Sequence, residues 1–301
     1  MAIQEQWAEL LTPGLRAIFN KQKDALVTES RIPLLFNQIT SQKSAEKFFG
    51  VGGFGDWNAY DGTIEYDDNT KGYQTTITHE EYTRGFKVER KLVDDDQYGI
   101  INRRPEGLAM GAVRTREKHG ASVFNNAFSG SYVGGDSVAL CSASHPYSPA
   151  KSGSTHGNAG TTALSYNAIV ATKKLMREFV DDRGELITVI PNTILVPPEL
   201  EDTAWTIVNS MNKPGTGNND ANYVRSQGWS VVVWDYLTDA NNWFMIDSAM
   251  AQQHLFWIDR VPLEFLDDPT SDYNLEARYR GYMRYSYGWS DWPWVYGHAV
   301  S

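Results

Sequence analysis

The sequence predicts an α+β chain with one very long helix, a strand-rich end, and segments that stand clear of any compact body. Three observations carry this. Residues 105–128 read as a single helix, with Met110, Val113, Ala121, Phe124 and Phe128 tracing one stripe. Residues 277–289 alternate, with Ala277, Tyr279, Gly281, Met283, Tyr285 and Tyr287 on one face and Arg278, Arg280, Tyr282 and Arg284 on the other. Residues 48–82 scatter Phe48, Phe49, Phe54, Trp57 and Tyr60 among six glycines, which suits neither a core helix nor a core strand.

Taken in order, residues 1–44 read as an extended arm with short helical pieces. Trp7, Leu10, Leu11 and Leu15 recur at helical spacing, and Pro13 and Pro33 interrupt the runs. Such a segment has no core of its own and must dock on its own body or on a neighbour. Two β-prone runs, Thr63–Tyr66 and Tyr73–Thr78, flank a turn-prone Asp67–Gly72 and predict a long hairpin with a polar tip. Residues 82–92 alternate as a half-buried strand, with Phe86 and Val88 inward, and end in the acidic run Asp94–Asp96.

Pro105 suits the first turn of the long helix, where no N–H partner is lost. At 24 residues that helix is about 36 Å long. Residues 142–162, rich in Ser, Gly, Pro and Thr, read as a loop or a domain crossover. An α/β section follows. Its amphipathic helix over 167–180 turns Ile169, Thr172, Leu175, Met176 and Phe179 inward. A buried strand over 192–196 follows, then a helix opened by Pro197-Pro198, and strands over 231–236 and 243–247. A long strand over 255–266 carries Pro262, the mark of an edge or a bulge.

Composition excludes several function classes. The 301 residues hold 27 Lys plus Arg against 37 Asp plus Glu, a net charge of −10, which is the opposite of a general nucleic-acid binder. Cys141 is the single cysteine, so no intrachain disulfide framework exists. With 41% hydrophobic and 13% aromatic residues there is ample material to bury, which argues against disorder. The first six residues lack a basic start followed by an apolar run, and the longest apolar runs are strand-sized. Synthesis in the cytoplasm is the expectation.

Motifs for chemistry fail on context. Gly50–Gly55 has the spacing G-x-G-x-x-G, but a dinucleotide site needs a buried strand before it and a helix after it. Polar Lys43–Lys47 and non-helical Asp56–Asp61 stand there instead, so the glycines read as a flexible hinge at the base of the hairpin. Ser148-Pro149-Ala150-Lys151 has the S-x-x-K pattern without the helix or the companion motifs that acyl-enzyme chemistry needs. Cys141 near His145 reads as a structural cysteine rather than a thiolate–imidazole pair. The six histidines form no H-E-x-x-H pattern, and Asp94–Asp96 lacks the glycine and glutamate of a calcium loop. The expectation is no enzyme, no cofactor and no metal. One charge feature survives: residues 102–128 hold five bases against two acids, whereas 61–100 hold ten acids against five bases. The helix is locally basic, suited to solvent, an acidic neighbour or a polyanion.

Several stretches, taken together and in order from about residue 45, resemble the major capsid proteins of tailed bacteriophages, and most closely the Mu-like head-subunit family. These are Tyr82–Ile100 with its acidic turn, Gly135-Asp136 followed by Ala143-Ser144-His145-Pro146-Tyr147, the strand–proline–helix step Thr193–Glu201, and the tryptophan-rich ending Tyr287–Gly297. At Pro293 and Trp294 the family pattern leads one to expect a less bulky or a basic residue. The N-terminal segment matches only in character.

The resemblance implies the tailed-phage capsid fold of the Hong Kong phage type. Its parts would be an N-terminal arm (1–48), an extended loop (49–76), a peripheral domain (77–160) with a spine helix (102–128), an axial domain (161–251) and a return to the peripheral sheet (252–301). It implies a structural protein of the virion capsid that assembles with itself as hexamers and pentamers into an icosahedral shell around double-stranded DNA. DNA contact would be without sequence specificity, no membrane would be involved, and scaffolding, portal and decoration proteins would be partners. Expected inter-subunit contacts are Trp7, Phe54, Trp57, Tyr60, Tyr66, Lys71 and Tyr73. The expected hinge is Gly50, Gly52, Gly53 and Gly55. Expected interior-facing or neighbour-facing bases are Arg114, Arg116 and Lys118, and Lys71 near the loop tip is the one candidate for the Lys–Asn cross-link of the Hong Kong relative. The rivals are an encapsulin-type nanocompartment and, from another class, a soluble carbohydrate-binding protein or hydrolase.

Overall fold

The structure is a computed structural model that describes residues 6–64, 66, 68, 71–95, 97–149, 151–217, 220–268 and 276–301. In chain order the elements are α1 (Gln6–Val27), α2 (Ile32–Leu35), β1 (Asn37–Thr40), β2 (Ala45–Val51), β3 (Lys71–Thr78), β4 (Glu80–Glu89), α3 (Arg90–Asp94) and α4 (Tyr98–Asn125). Then come β5 (His145–Ser148), β6 (Lys151–His156), β7 (Ala159–Gly160), α5 (Tyr166–Arg177), β8 (Thr193–Val196), a 3-10 turn (Pro198–Leu200), α6 (Glu201–Asn209), α7 (Tyr223–Ser226) and β9 (Ser230–Val233). The chain closes with β10 (Trp243–Ile246), α8 (Ser248–His254), β11 (Leu255–Asp268), β12 (Glu276–Trp289) and β13 (Val295–His298).

Two sheets organise the body. One has the order β1-β11-β12-β4 and the other β7-β13-β10-β8-β9, with two-stranded ribbons β2–β3 and β5–β6. The alternation read from the sequence holds along β12 through Tyr285, and from Tyr285 to the end only Tyr287 stays half-exposed. Pro262 sits at a register shift of β11, beyond the last residue that β1 pairs. There its missing N–H breaks no ladder bond.

The long helix α4 is 28 residues and begins seven residues before Pro105. The proline therefore stands inside the helix, not in its first turn, and forfeits one backbone bond. Burial compensates: Ile101, Pro105, Ala109, Val113, Glu117 and Ala121 recur every fourth residue and form the inward stripe with Phe124. Met110, expected in that stripe, is exposed, and Phe128 packs from just beyond the helix.

The arm is not extended. Residues 6–27 form one helix straight through Pro13. Leu15 and Phe19 are fully buried against Val88, Ile101, Ala109, Phe265, Ala277 and Tyr279 of the same chain, and the Phe19 ring lies 5.2 Å from that of Phe265. Pro13 costs a hydrogen bond, and the apolar stripe on one helix face outweighs it.

Three further expectations change. The hairpin is paired by β2 and β3, with Ala45 opposite Thr78 and Val51 opposite Lys71, so 63–64 lie outside the ladder. Residues 142–162 contain the β5–β6 ribbon and β7 rather than a plain loop, because Asn158 there is a completely buried connector. Its amide donates to the carbonyls of Leu140 (2.8 Å) and Val295 (3.1 Å), and its Oδ1 accepts the Ser142 N–H (2.8 Å). On α5, Leu175 faces out while Ala168, Ile169, Thr172 and Met176 face in.

Candidate assembly surfaces

The β2–β3 ribbon is anchored at its base. Phe48 stacks on Phe256 (4.1 Å, 9°), and Ile77 packs with Phe256 and Ile258. Beyond Val51 and Lys71 the chain leaves the ladder, and residues 52–64 take no helix or strand form. Glycines at 52, 53, 55 and 62 deny this segment a regular face. Its aromatics therefore have nothing to pack on: Trp57 is 97% exposed, and Phe54, Tyr60, Ile64 and Tyr66 are also exposed. The 19 residues of 52–70 carry five acidic side chains and no basic one.

The four glycines expected to form a hinge are not alike. Gly50 lies at the register shift of β2, and a Cβ on its neighbour Gly72 would stand 2.6 Å from the Gly50 carbonyl carbon. Close backbone approach, not freedom, explains that pair. Gly53 is clasped: its N–H donates to Asp182 Oδ1 (2.9 Å) and its carbonyl accepts from Arg183 Nε (2.7 Å). A Cβ there would meet Asp181 Oδ2 at 2.6 Å. Gly52 and Gly55 are half-buried beside it. The loop thus leaves the body through a fixed gate formed with the turn after α5, a contact with no sequence signal.

Of the other expected contacts, Tyr73 is half-buried in β3, and burial pushes its phenol up, with Asp136 adding to the effect. Lys71 is exposed, but it sits where the loop rejoins the ladder, not at the tip. Trp7 lies in α1, and its side chain is outside the described residues.

The three helix bases also separate. Arg114 and Lys118 are exposed. Arg116 turns inward and makes a bidentate pair with Asp259 (2.8 and 3.0 Å) over the Trp257 and Tyr285 rings. Its partner lies in its own chain. Glu117 on the same stripe is buried and accepts from Ser30 Oγ, the Arg31 N–H (3.3 Å) and Trp234 Nε1 (2.9 Å). Two residues not singled out from sequence, Arg84 on β4 and Arg104 on α4, line a groove with Arg114.

Residues that raised chemical questions are structural. His145 places its ring nitrogens 2.6 Å from Asp136 Oδ2 and 3.1 Å from Asn158 Oδ1, and stacks on Trp292 at 4.5 Å. Burial pushes the Cys141 thiol up, away from thiolate reactivity. Ser148 and Lys151 face each other across the β5–β6 turn, not along a helix. Burial raises the Asp291 carboxyl and lowers the neighbouring His254. Among the described residues no group of three His, Cys, Asp or Glu side chains is placed to hold a metal. None of their helices is long and apolar enough to cross a membrane.

A family model described as phage capsid protein matches residues 72–297, well over half of the chain. The chain belongs to the phage capsid protein family. It is therefore a structural protein of the virion capsid rather than an enzyme. Solved structures share the capsid fold at low identity. A chain from the capsid of bacteriophage JBD30 decorated with minor capsid protein trimers aligns with TM-score 0.56 and 13% identity, over 69% of this chain and 91% of that one. The capsid of Cyanophage P-SCSP1u gives 0.56 and 12%, over 90% and 88%. A chain from Mycobacterium phage Ogopogo gives 0.52 and 11%, over 90% and 92%. No curated protein matches this capsid protein in sequence.

Proposed function

We propose that this capsid protein is the major head subunit of a Mu-like tailed phage. It assembles with itself as hexamers and pentamers into an icosahedral shell around double-stranded DNA. The observation that carries this reading is the extended loop, whose aromatics are exposed in the single chain. Fully burying one such side chain against a neighbour is worth about 1.5–3 kcal/mol. Many copies closing into a shell multiply such modest contacts, so assembly rises steeply with concentration.

On this reading the arm (1–48), extended loop (49–76), peripheral domain (77–160), axial domain (161–251) and returning strands (252–301) are the working units. Trp57, Phe54, Tyr60, Tyr66, Lys71, Tyr73 and Trp7 serve contacts between subunits. Gly50, Gly52, Gly53 and Gly55 set the loop's exit angle, and Arg114 and Lys118 meet an acidic neighbour or the interior. A net charge of −10 suits a container that must not tether its DNA through phosphate contacts. Scaffolding, portal and decoration proteins complete the assembly.

The test is size-exclusion chromatography and electron microscopy of the purified chain. Particles eluting in the void, of uniform diameter, are expected; a monomer at every concentration overturns the reading. Particles recovered from phage-producing cells should protect double-stranded DNA from nuclease. Particles loaded with protein cargo and no DNA would instead assign an encapsulin-type shell.

A further inference from the structure

A pocket of about 390 Å³ opens where β3, the start of β4, the end of β12 and the turn after α4 meet. Its walls are aromatic. Tyr285, Tyr287 and Trp289 stand at alternate positions of β12, and Tyr82 on β4 stacks on Tyr285 (4.6 Å, 26°). The turn after α4, closed by the Tyr132 N–H on the Ser129 carbonyl (3.0 Å), sets the Tyr132 ring edge-to-face with Trp289 (5.2 Å, 62°). Glu80 lies opposite Tyr285 in the register of β4 on β12. It is exposed, accepts the Tyr82 hydroxyl (2.7 Å) and is the one charged residue in the lining. Thr75 Oγ1 also belongs to the lining and is buried without a hydrogen-bond partner among the described residues. Behind the Tyr82 and Tyr287 rings, burial holds His119 toward its neutral form, so no cation stands there.

We propose that this pocket binds an alkylammonium group, carried by a free amine or by a lysine side chain of a second copy, with Glu80 pairing its charge and the Tyr82, Tyr132, Tyr287 and Trp289 rings flanking its alkyl part. The walls select by charge. An anion would meet a carboxylate and no base. A neutral apolar guest would leave Glu80 and Thr75 Oγ1 without an N–H donor. A cation is drawn both by the ring faces and by the carboxylate, and its N–H groups can serve Thr75 Oγ1. The volume falls in the range of small-ligand sites. The site is complete within one chain and stands apart from the assembly reading; only the choice between the two sources rests on that reading.

The test is ligand-observed NMR on the full chain as dispersed subunits. The probes are diaminobutane and tetramethylammonium, with tert-butanol as a neutral control of similar shape. Saturable binding of both cations, and none of the alcohol, is expected. Glu80→Gln should weaken diaminobutane about tenfold. Tyr132→Leu should weaken it about fivefold, whereas Tyr132→Phe, which keeps the ring, should bind like the wild type. Glu80 is exposed, so Glu80→Gln remains informative even where Tyr132→Leu fails to fold. Binding that persists in assembled particles supports the free amine as the occupant. Binding in subunits that is lost in particles supports a lysine of a second copy. No saturable binding to subunits, tert-butanol binding as tightly as the cations, or Glu80→Gln binding like the wild type overturns the site, whatever the particles do.

Discussion

The N-terminal helix and the extended loop begin alike and end differently. Both are apolar-rich segments interrupted by Pro or Gly, and both read from sequence as projections. The helix closes on its own body, with Phe19 at 0% exposure, whereas the loop leaves Trp57 at 97%. The difference is periodicity. Leu11, Leu15 and Phe19 stand four residues apart, so a helix gathers them on one stripe that α4 and β11 cover. Phe54, Trp57 and Tyr60 have regular spacing too, but Gly52, Gly53 and Gly55 make any fixed backbone face costly. A helical stripe finds a partner in the same chain. Aromatics on an irregular, glycine-rich backbone stay exposed in the single chain.

The largest expected effect strikes the helix. Phe19→Ala should cost the isolated subunit about 3–5 kcal/mol in denaturant unfolding. If subunit stability is unchanged and only assembly fails, the helix belongs with the loop after all. Acid should sharpen the contrast next. His298 is buried against Trp243, accepts the Thr162 N–H at Nδ1 and meets Thr172 Oγ1 at 2.8 Å. Burial lowers its pKa to about 4. Between about 6.5 and 4 the unfolded chain binds the proton and the folded chain does not, so stability falls as pH drops through that window, by up to about 3 kcal/mol. His79, His119, His156 and His254 shift the same way through burial, while the raised Asp291 opposes them. All lie in the body, so thermal melts across this range should show unfolding without any loop-specific event. His298→Phe should flatten part of the pH slope, and an unchanged slope would remove His298 as a cause.

Smaller effects test the loop. Gly52→Pro should leave soluble, folded subunits that do not close into shells, and normal shells by electron microscopy would discard the hinge. Trp57→Ala should change subunit stability by less than about 0.5 kcal/mol yet reduce particle yield. A destabilised monomer would show that Trp57 packs within its own chain.

Much of the fold was legible in sequence because it rests on local period. The strand alternation of β12, the half-buried β4 and the fourfold recurrence in α4 follow from where side chains point. The limits of α4 were not legible: burial of Ile101 and Pro105 extends it past a proline that looked like a starting signal. The pairing of β2 with β3 escaped because Thr63–Tyr66 has better strand composition than the glycine-containing Ala45–Val51. Phe48 stacking on Phe256 decides the matter over more than two hundred residues.

Sequence alone determined the composition of the two proposed assembly surfaces. It set an acidic, aromatic, glycine-broken loop beside a basic helix, and local backbone preferences sufficed to keep the two distinct. Tertiary structure decided which bases remain available. Arg116 is drawn to Asp259, and Arg84 and Arg104 join Arg114 around one groove. It also decided that the N-terminal segment folds inward and that Asp181–Arg183 clasp the loop's exit. Each of these is a contact between residues far apart in the chain. No local propensity encodes such contacts, because their energy exists only once burial has brought the partners together.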